Sequence, residues 1–200
     1  MKAVKKLHVG CFDVLLDGWH NTDITPHILI ARIPFLAAIL HAVGVMDDVR
    51  YRQHRDGIFR HVHFLNATRR LPFPDSSLDA VYSSQVIQNF AHTEAENFLK
   101  ETRRVLKPGG ICRIAVADLD TWIQSYDPLN PDKFLSLILQ PATRGLKNRN
   151  RWMYNERSLR EVFRQAGFRN IVRCERHQGR CPDVERIDYR SDVMFMEGEK

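Results

Sequence analysis

Cysteine is scarce in this chain. Four residues, Cys11, Cys112, Cys174 and Cys181, are spread over 200 positions. The opening MKAVKKLHVG lacks the apolar core of a signal peptide. Without a secretory signal, the thiols are expected to be free in a reducing cytoplasm. No apolar run reaches the length of a membrane span. The most apolar stretch, Ile28 to Val43, has sixteen residues and is broken by Arg32, Pro34 and His41. A structural zinc site is not expected either, because Cys174, His177 and Cys181 lack a fourth ligand. His61 and His63 share one strand face, which alternation in a sheet explains as well as metal binding does. Internal repeats and low-complexity segments are absent. No interleaved aromatic platform for single-stranded nucleic acid is present, since Trp152, Tyr154, Phe163 and Phe168 fall at core-like or isolated positions.

What remains is globular. Hydrophobic residues make up 44% of the chain and charged residues 27%, enough for a real core in one domain over 1–200. The net charge of +6 is unevenly placed: 144–180 holds eleven Lys or Arg against three Asp or Glu. Such a block is either a solvated arginine-rich face or a patch for an anionic partner.

Strands alternate with helices for most of the length. Leu7 to Gly10 and Trp19 to Ile24 read as strands. The residues between them leave room for no more than a turn of helix, although parallel neighbours usually need a longer crossover. Pro34 and Gly44 would bound one helix of roughly ten residues within an apolar insertion over about 27–45. A core helix is the plain reading of it. A flap over an apolar substrate, or a dimer or membrane contact, is the alternative. Tyr51 to Arg60 reads as a polar surface connection, and His61 to Leu65 as a strand. Leu78 to Ser83 has the apolar character of a buried parallel strand. Thr93 and Glu96 have capping-box spacing ahead of a helix with Phe98, Leu99, Thr102, Val105 and Leu106 on one face. Pro108-Gly109-Gly110 turns into a strand over Ile111 to Ala117. Asn155 caps a helix carrying Leu159, Val162, Phe163 and Ala166, and Gly167 stops it. Ile171 to Glu175 and Asp192 to Glu197 close the chain as strands. This order predicts an α/β fold: a Rossmann-like, doubly wound, mostly parallel sheet with helices on both faces and an antiparallel last strand.

In such sheets ligands sit at the carboxyl ends of the strands near the topological switch point. The candidates are therefore Gly10 and Cys11, Asp23, Asn66 and Ala67, and Ser83 and Ser84. Glycine lets the backbone approach a ligand closely. A carboxylate at the end of a second strand can accept both hydroxyls of a ribose.

LPFPDSSLDAVYSSQVIQNF (71–90) followed by RVLKPGG (104–110) resembles the second half of a class I S-adenosylmethionine-dependent methyltransferase. The residues NTDI (21–24), ADLDTWI (117–123) and YNERSLREVFRQAGFRNI (154–171) extend the likeness. It covers nearly the whole chain except 27–60 and roughly 128–150. The narrower resemblance is to small bacterial methyltransferases often connected with cell-surface polysaccharide or sugar modification. It implies S-adenosylmethionine as cofactor and a small-molecule or glycan acceptor. VGCF (9–12) stands at the family's first motif, with Phe12 where the second glycine is usual. Asn66 stands where an Asp usually accepts from the adenine amino group, and its amide oxygen can do the same. The Ala67 amide would meet adenine N1, and Ser83 and Ser84 fall where backbone carbonyls hold the methionine amino group. Gln85, Gln88 and Asn89 replace an ionisable pattern by amides, which argues against a general base there. His20, His92 and Tyr126 are available, but none is singled out as a catalytic base.

The leading expectation is a cytoplasmic methyltransferase. Two others are carried beside it. One is a degenerate, non-catalytic binding or scaffold protein of the same fold. The other is a nucleic-acid-binding or nucleic-acid-modifying protein that uses the basic block.

Overall fold

A computed structural model describes residues 5–139 and 151–200. Seven strands form one sheet: β1 (Lys6–Val9), β2 (His20–Asp23), β3 (His63–Phe64), β4 (Leu78–Ser84), β5 (Leu106–Val116), β6 (Arg169–Cys174) and β7 (Met194–Glu199). Their order is β3-β2-β1-β4-β5-β7-β6. The pairs from β3 through β5 are parallel, while β7 runs antiparallel to both β5 and β6. This is the expected mixed sheet with its antiparallel last strand. The strand order reverses between β1 and β4, which sets the switch point at their carboxyl ends.

Alternation along β4 and β5 sends side chains to two cores. Val81, Cys112 and Ile114 face Phe98 and Leu99 of α4 (His92–Val105) and Leu159, Val162 and Phe163 of α7 (Glu156–Gln165). Ala80, Tyr82 and Ala115 face the opposite way, against Leu16, Trp19 and Ile187. The second face is thinly covered because the β1–β2 crossover contains no helix. Asn21 braces that crossover instead. Its Oδ1 accepts from the Leu16 amide (3.0 Å), and its Nδ2 donates to the Leu16 and Trp19 carbonyls (3.1 and 3.2 Å). Tyr189 and Arg190 follow α8 (Val184–Ile187), whose Ile187 is buried in this second core.

Four local expectations are corrected. The apolar stretch 28–43 is not one core helix. It divides into α1 (His27–Ile30) and α2 (Leu36–Ala42), with Pro34 in the turn between them, and α2 buries none of its residues. Tyr51 to Arg60 is not a plain surface connection. Asp47 accepts from the Arg50 amide (2.8 Å) and starts α3 (Asp48–Arg55), and a 3-10 turn (Ile58–His61) then buries Phe59. The helix α4 is entered at Ala91 rather than Thr93, because the Glu94 carboxylate accepts the Ala91 amide (2.8 Å). Finally, α4 passes straight into β5, and Pro108-Gly109-Gly110 form an excursion within the strand where its register on β4 shifts. Two shorter helices, α5 (Leu119–Gln124) and α6 (Pro131–Leu139), follow β5.

Asn155 caps α7 as expected, accepting from the Ser158 amide (3.0 Å). Gly167 then takes a φ of 85° to end it.

Candidate functional site

A cleft of about 410 Å³ opens at the carboxyl ends of β1, β2 and β4 and beside the loop after β3. Gly10, Cys11, Phe12, Asp23, Asn66, Ala67 and Ser84 all line it, together with Gln85, Val86, Asn89, Tyr189 and Arg190. Of the eight positions expected from sequence, Ser83 alone is not at the wall. It is paired on both sides within the sheet, one residue short of the strand end.

Gly10 is required on two counts. Its φ is 74°, and an added Cβ would lie 2.1 Å from Val86 Cγ2. Cys11 is buried, and desolvation, reinforced by the nearby Asp23 charge, pushes its thiol up to about 12. It stays protonated at neutral pH and is no nucleophile.

Phe12 keeps the backbone conformation of a glycine, at φ 45°. Its side chain leans on the edge of the cleft rather than into the sheet core. The ring packs against His27 (6.0 Å between centroids) and Phe59 (5.9 Å), and the Arg50 guanidinium lies 4.4 Å above it. That guanidinium is held in turn by Asp13 (2.7 Å). The large residue in the first motif is therefore absorbed by α1, α3 and the 3-10 turn, the segment inserted between β2 and β3.

Asp23 is the hub of the site. Its Oδ2 accepts from the Phe12 amide (2.9 Å) and its Oδ1 from the Thr25 amide (2.7 Å). Burial raises its pKa, although these amide bonds work against the shift. Each oxygen keeps a further lone pair for a hydroxyl donor. Asn66 is more fully engaged: its Oδ1 accepts both the amide (3.0 Å) and the hydroxyl (2.8 Å) of Thr68. An adenine amino group would compete for that oxygen. Ser84 Oγ is buried at the cleft wall without a hydrogen-bond partner.

The wall after β4 is built from amides. Gln88 Nε2 donates to Gln85 Oε1, and Asn89 Nδ2 donates to the Gln85 carbonyl (3.2 Å). No base emerges there, in line with the residue types.

Tyr189 and Arg190 escaped the sequence reading because no motif surrounds them. One signal was present: Arg113 inside the apolar run ICRIAV (111–116) demands a buried carboxylate. It finds two. Arg113 is fully buried, with Nε donating to Asp188 Oδ1 (2.9 Å) and Nη1 to Glu197 Oε1 (2.7 Å). The pair with Asp188 fixes the residues just before Tyr189 beside the cleft.

The basic block resolves differently, as far as it is described; Arg144, Lys147 and Arg149 lie outside the described residues. Arg151 pairs with Glu94 (3.0 Å), Arg160 with Glu156 (2.7 Å), Arg164 with Glu161 (2.7 Å), Arg173 with Asp118 (3.1 Å) and Arg180 with Glu199. Much of this charge is thus answered inside the molecule. His63 stacks on His20 (4.3 Å), and His177 Nδ1 faces the Val184 carbonyl (3.3 Å).

Comparison with known proteins agrees with the fold that builds this cleft. The family model described as a methyltransferase domain matches residues 41–114, from the end of α2 into β5. A chain of the Haloferax volcanii complex between the Trm112 methyltransferase activator and a methyltransferase shares the fold. Its TM-score is 0.51 at 18% identity, over 98% of this chain and 82% of that one. The structure of PigF with SAH aligns at a TM-score of 0.54 and 14% identity, over 98% of this chain and 50% of that one. Residues 41–114 thus match a methyltransferase-domain family, and the chain as a whole has the fold of the class I S-adenosylmethionine-dependent methyltransferases. A Yersinia pestis protein named ubiquinone/menaquinone biosynthesis C-methyltransferase UbiE is 32% identical over 127 residues, 58% of this chain and 49% of that protein. This chain thus spans about half the length of the curated relatives it matches. The residues of the cleft fit the cofactor of this family: a close-approach glycine, a carboxylate at the end of β2, and the orphaned Ser84 hydroxyl beside β4. None of the described helices is long and apolar enough to cross a membrane.

Proposed function

We propose that the chain transfers a methyl group from S-adenosylmethionine to a ring carbon of a small aromatic acceptor of quinol type. The observation that carries the reading is the cleft itself, with Gly10, Asp23, Ala67 and Ser84 converging at the β1–β4 switch point. Asp23 would take the ribose hydroxyls, and the Ala67 amide and Asn66 would meet the adenine. Gly10 and the end of β4 would hold the methionine end. Bound there, the cofactor supplies an already activated methyl sulfonium. The remaining work of the protein is to align the acceptor and exclude water.

Two facts favour an aromatic carbon over the sugar or glycan expected from sequence. The Yersinia pestis relative is named for C-methylation in quinone biosynthesis. The amides Gln85 and Asn89, which line the cleft after β4, supply no base for an unactivated sugar hydroxyl, which would need one. Calorimetric titration with S-adenosylhomocysteine tests the cofactor assignment. Transfer of labelled methyl from S-adenosylmethionine to a demethylated quinol, set against a sugar acceptor, tests the substrate class. Labelling of the sugar alone would overturn the quinol assignment.

A second reading keeps the fold without turnover. It is favoured by the engagement of both Asp23 oxygens and of Asn66 Oδ1 within the protein. Cofactor binding with no transfer to either acceptor would select it.

A further inference from the structure

From the exposed segment between β2 and β3, we infer that this face of the protein docks on an anionic lipid bilayer. Half of the large, strongly exposed apolar side chains among the described residues lie within 24–49. Phe35 is 82% exposed, Ile39 56% and Val43 65%, and they recur every fourth residue from the N-cap of α2 to its C-cap. Leu29, Ile33 and Val45 extend the same surface. A helix of this length cannot span a bilayer, but its apolar stripe can lie in the interface.

Charge selects the bilayer over other occupants. A second groove of about 400 Å³ runs beside α2, floored by Ile30, Ala38 and Tyr51. Arg32, Arg55 and Arg60 also line it, and no acidic side chain does. None of the three makes an ion pair among the described residues, unlike five of the eight described arginines of the 144–180 block. Of the nearby acids, Asp47 caps α3 and Asp48 holds His41 (2.7 Å), while Asp56, next to Arg55, neither lines the groove nor makes an ion pair with any of the three arginines. Unpaired guanidinium groups flanking an exposed apolar stripe match lipid phosphates above acyl chains.

The placement also bears on the cleft. His54 lines the groove, and its Nε2 lies 2.9 Å from His27 Nδ1, while His27 packs on Phe12 at the cleft. One layer of side chains therefore separates the lipid-facing groove from the cofactor loop. On the proposed methyl-transfer reading, which this last step alone depends on, a lipid-dissolved acceptor would arrive on that side.

The test is co-sedimentation of the intact chain, without cofactor, with vesicles of phosphatidylcholine containing a minority of phosphatidylglycerol. Binding is expected to the mixed vesicles and to weaken with salt. The double variant Phe35→Glu, Ile39→Glu should lower the partition by at least about tenfold. Replacing Arg32, Arg55 and Arg60 by Gln should lower it about fivefold per residue and remove the salt sensitivity. The Glu double variant should retain the wild-type melting temperature, because neither side chain is buried. Absence of binding to mixed vesicles, or undiminished binding by the Glu double variant, would overturn the inference. So would light scattering that shows a dimer dispersed by Phe35→Glu, since the face would then belong to a second copy. Failure to bind S-adenosylhomocysteine would sink the methyl-transfer reading and leave the vesicle result standing.

Discussion

Asp23 has two duties, and they can be separated. Its carboxylate accepts the Phe12 and Thr25 amides, so it shapes the first loop before any ligand arrives. Asp23→Ala should therefore cost about 1–3 kcal/mol of stability through orphaned amides. In addition, it should weaken S-adenosylhomocysteine binding by about 2–4 kcal/mol through lost ribose bonds. Calorimetry on the folded variant decides: affinity equal to wild type would remove Asp23 from the cofactor site and leave it a loop brace. Phe12 shows the limit of reading a residue from its neighbours in the chain. Its left-handed backbone was foreseeable from the glycine usual there. The partners that absorb the ring, His27, Phe59 and Arg50, are fifteen or more positions away and belong to the inserted segment. Phe12→Gly should relieve about 1 kcal/mol of backbone strain while losing a half-buried aromatic contact. The net destabilisation in urea unfolding should be about 1–2 kcal/mol, below the 3–5 kcal/mol of a fully buried ring. A larger loss would mean that the ring anchors the inserted helices as a core residue does.

At the scale of elements, the strands and the two long helices were legible because period and punctuation agree in them. The apolar run of β4, the capped and amphipathic α7, and the strand ends that meet in the cleft are all local signals. The segment 27–60 was not legible, because its apolar residues imply burial that the fold does not provide. There the short α2 leaves its stripe exposed, while polar 51–60 hides Phe59. Tyr189 and Arg190 were equally hidden, since a long-range ion pair places them. That coupling makes a prediction. Arg113 binds Asp188 and Glu197 in a fully buried site between β5, β7 and the approach to Tyr189. Arg113→Gln would leave uncompensated carboxylates and should cost about 3–5 kcal/mol of stability. The loosened wall should also weaken S-adenosylhomocysteine binding. Replacing Arg113, Asp188 and Glu197 together by apolar residues should recover much of the stability. If the single variant melts with wild type, the triad does not hold the cleft wall.

For the whole molecule, the sharpest physical dependence is on acid. His8 lies in the sheet interior between Asn21 (3.1 Å from Nδ1) and Tyr82, and burial pushes its pKa down to about 4. His20, His27 and His54 are also lowered, each chiefly by burial. A histidine whose folded pKa lies below its unfolded value takes up a proton more readily on unfolding. Its contribution to stability is therefore complete above the unfolded value of about 6.5 and is lost as the pH falls toward the folded one. For His8 that window runs from about 6.5 down to about 4 and amounts to roughly 3 kcal/mol. Carboxylates do not mask it. Glu101, lowered mainly by its bond from Arg104, and Asp183, lowered mainly by Lys6, begin to lose their stabilisation only as the pH falls through the ordinary carboxylate range, at the acid end of this window, and in the same direction. Asp23, raised by burial, works in the opposite sense, and its effect grows toward acid as the carboxylate takes up its proton. Between pH 6.5 and 4, then, wild-type unfolding free energy should fall steadily. His8→Phe, which keeps a ring against Tyr82, should reduce that slope by about 1.4 kcal/mol per pH unit, the share of one proton. Urea unfolding at stepped pH makes the comparison. Parallel slopes in wild type and variant would show that His8 is not buried as a neutral ring.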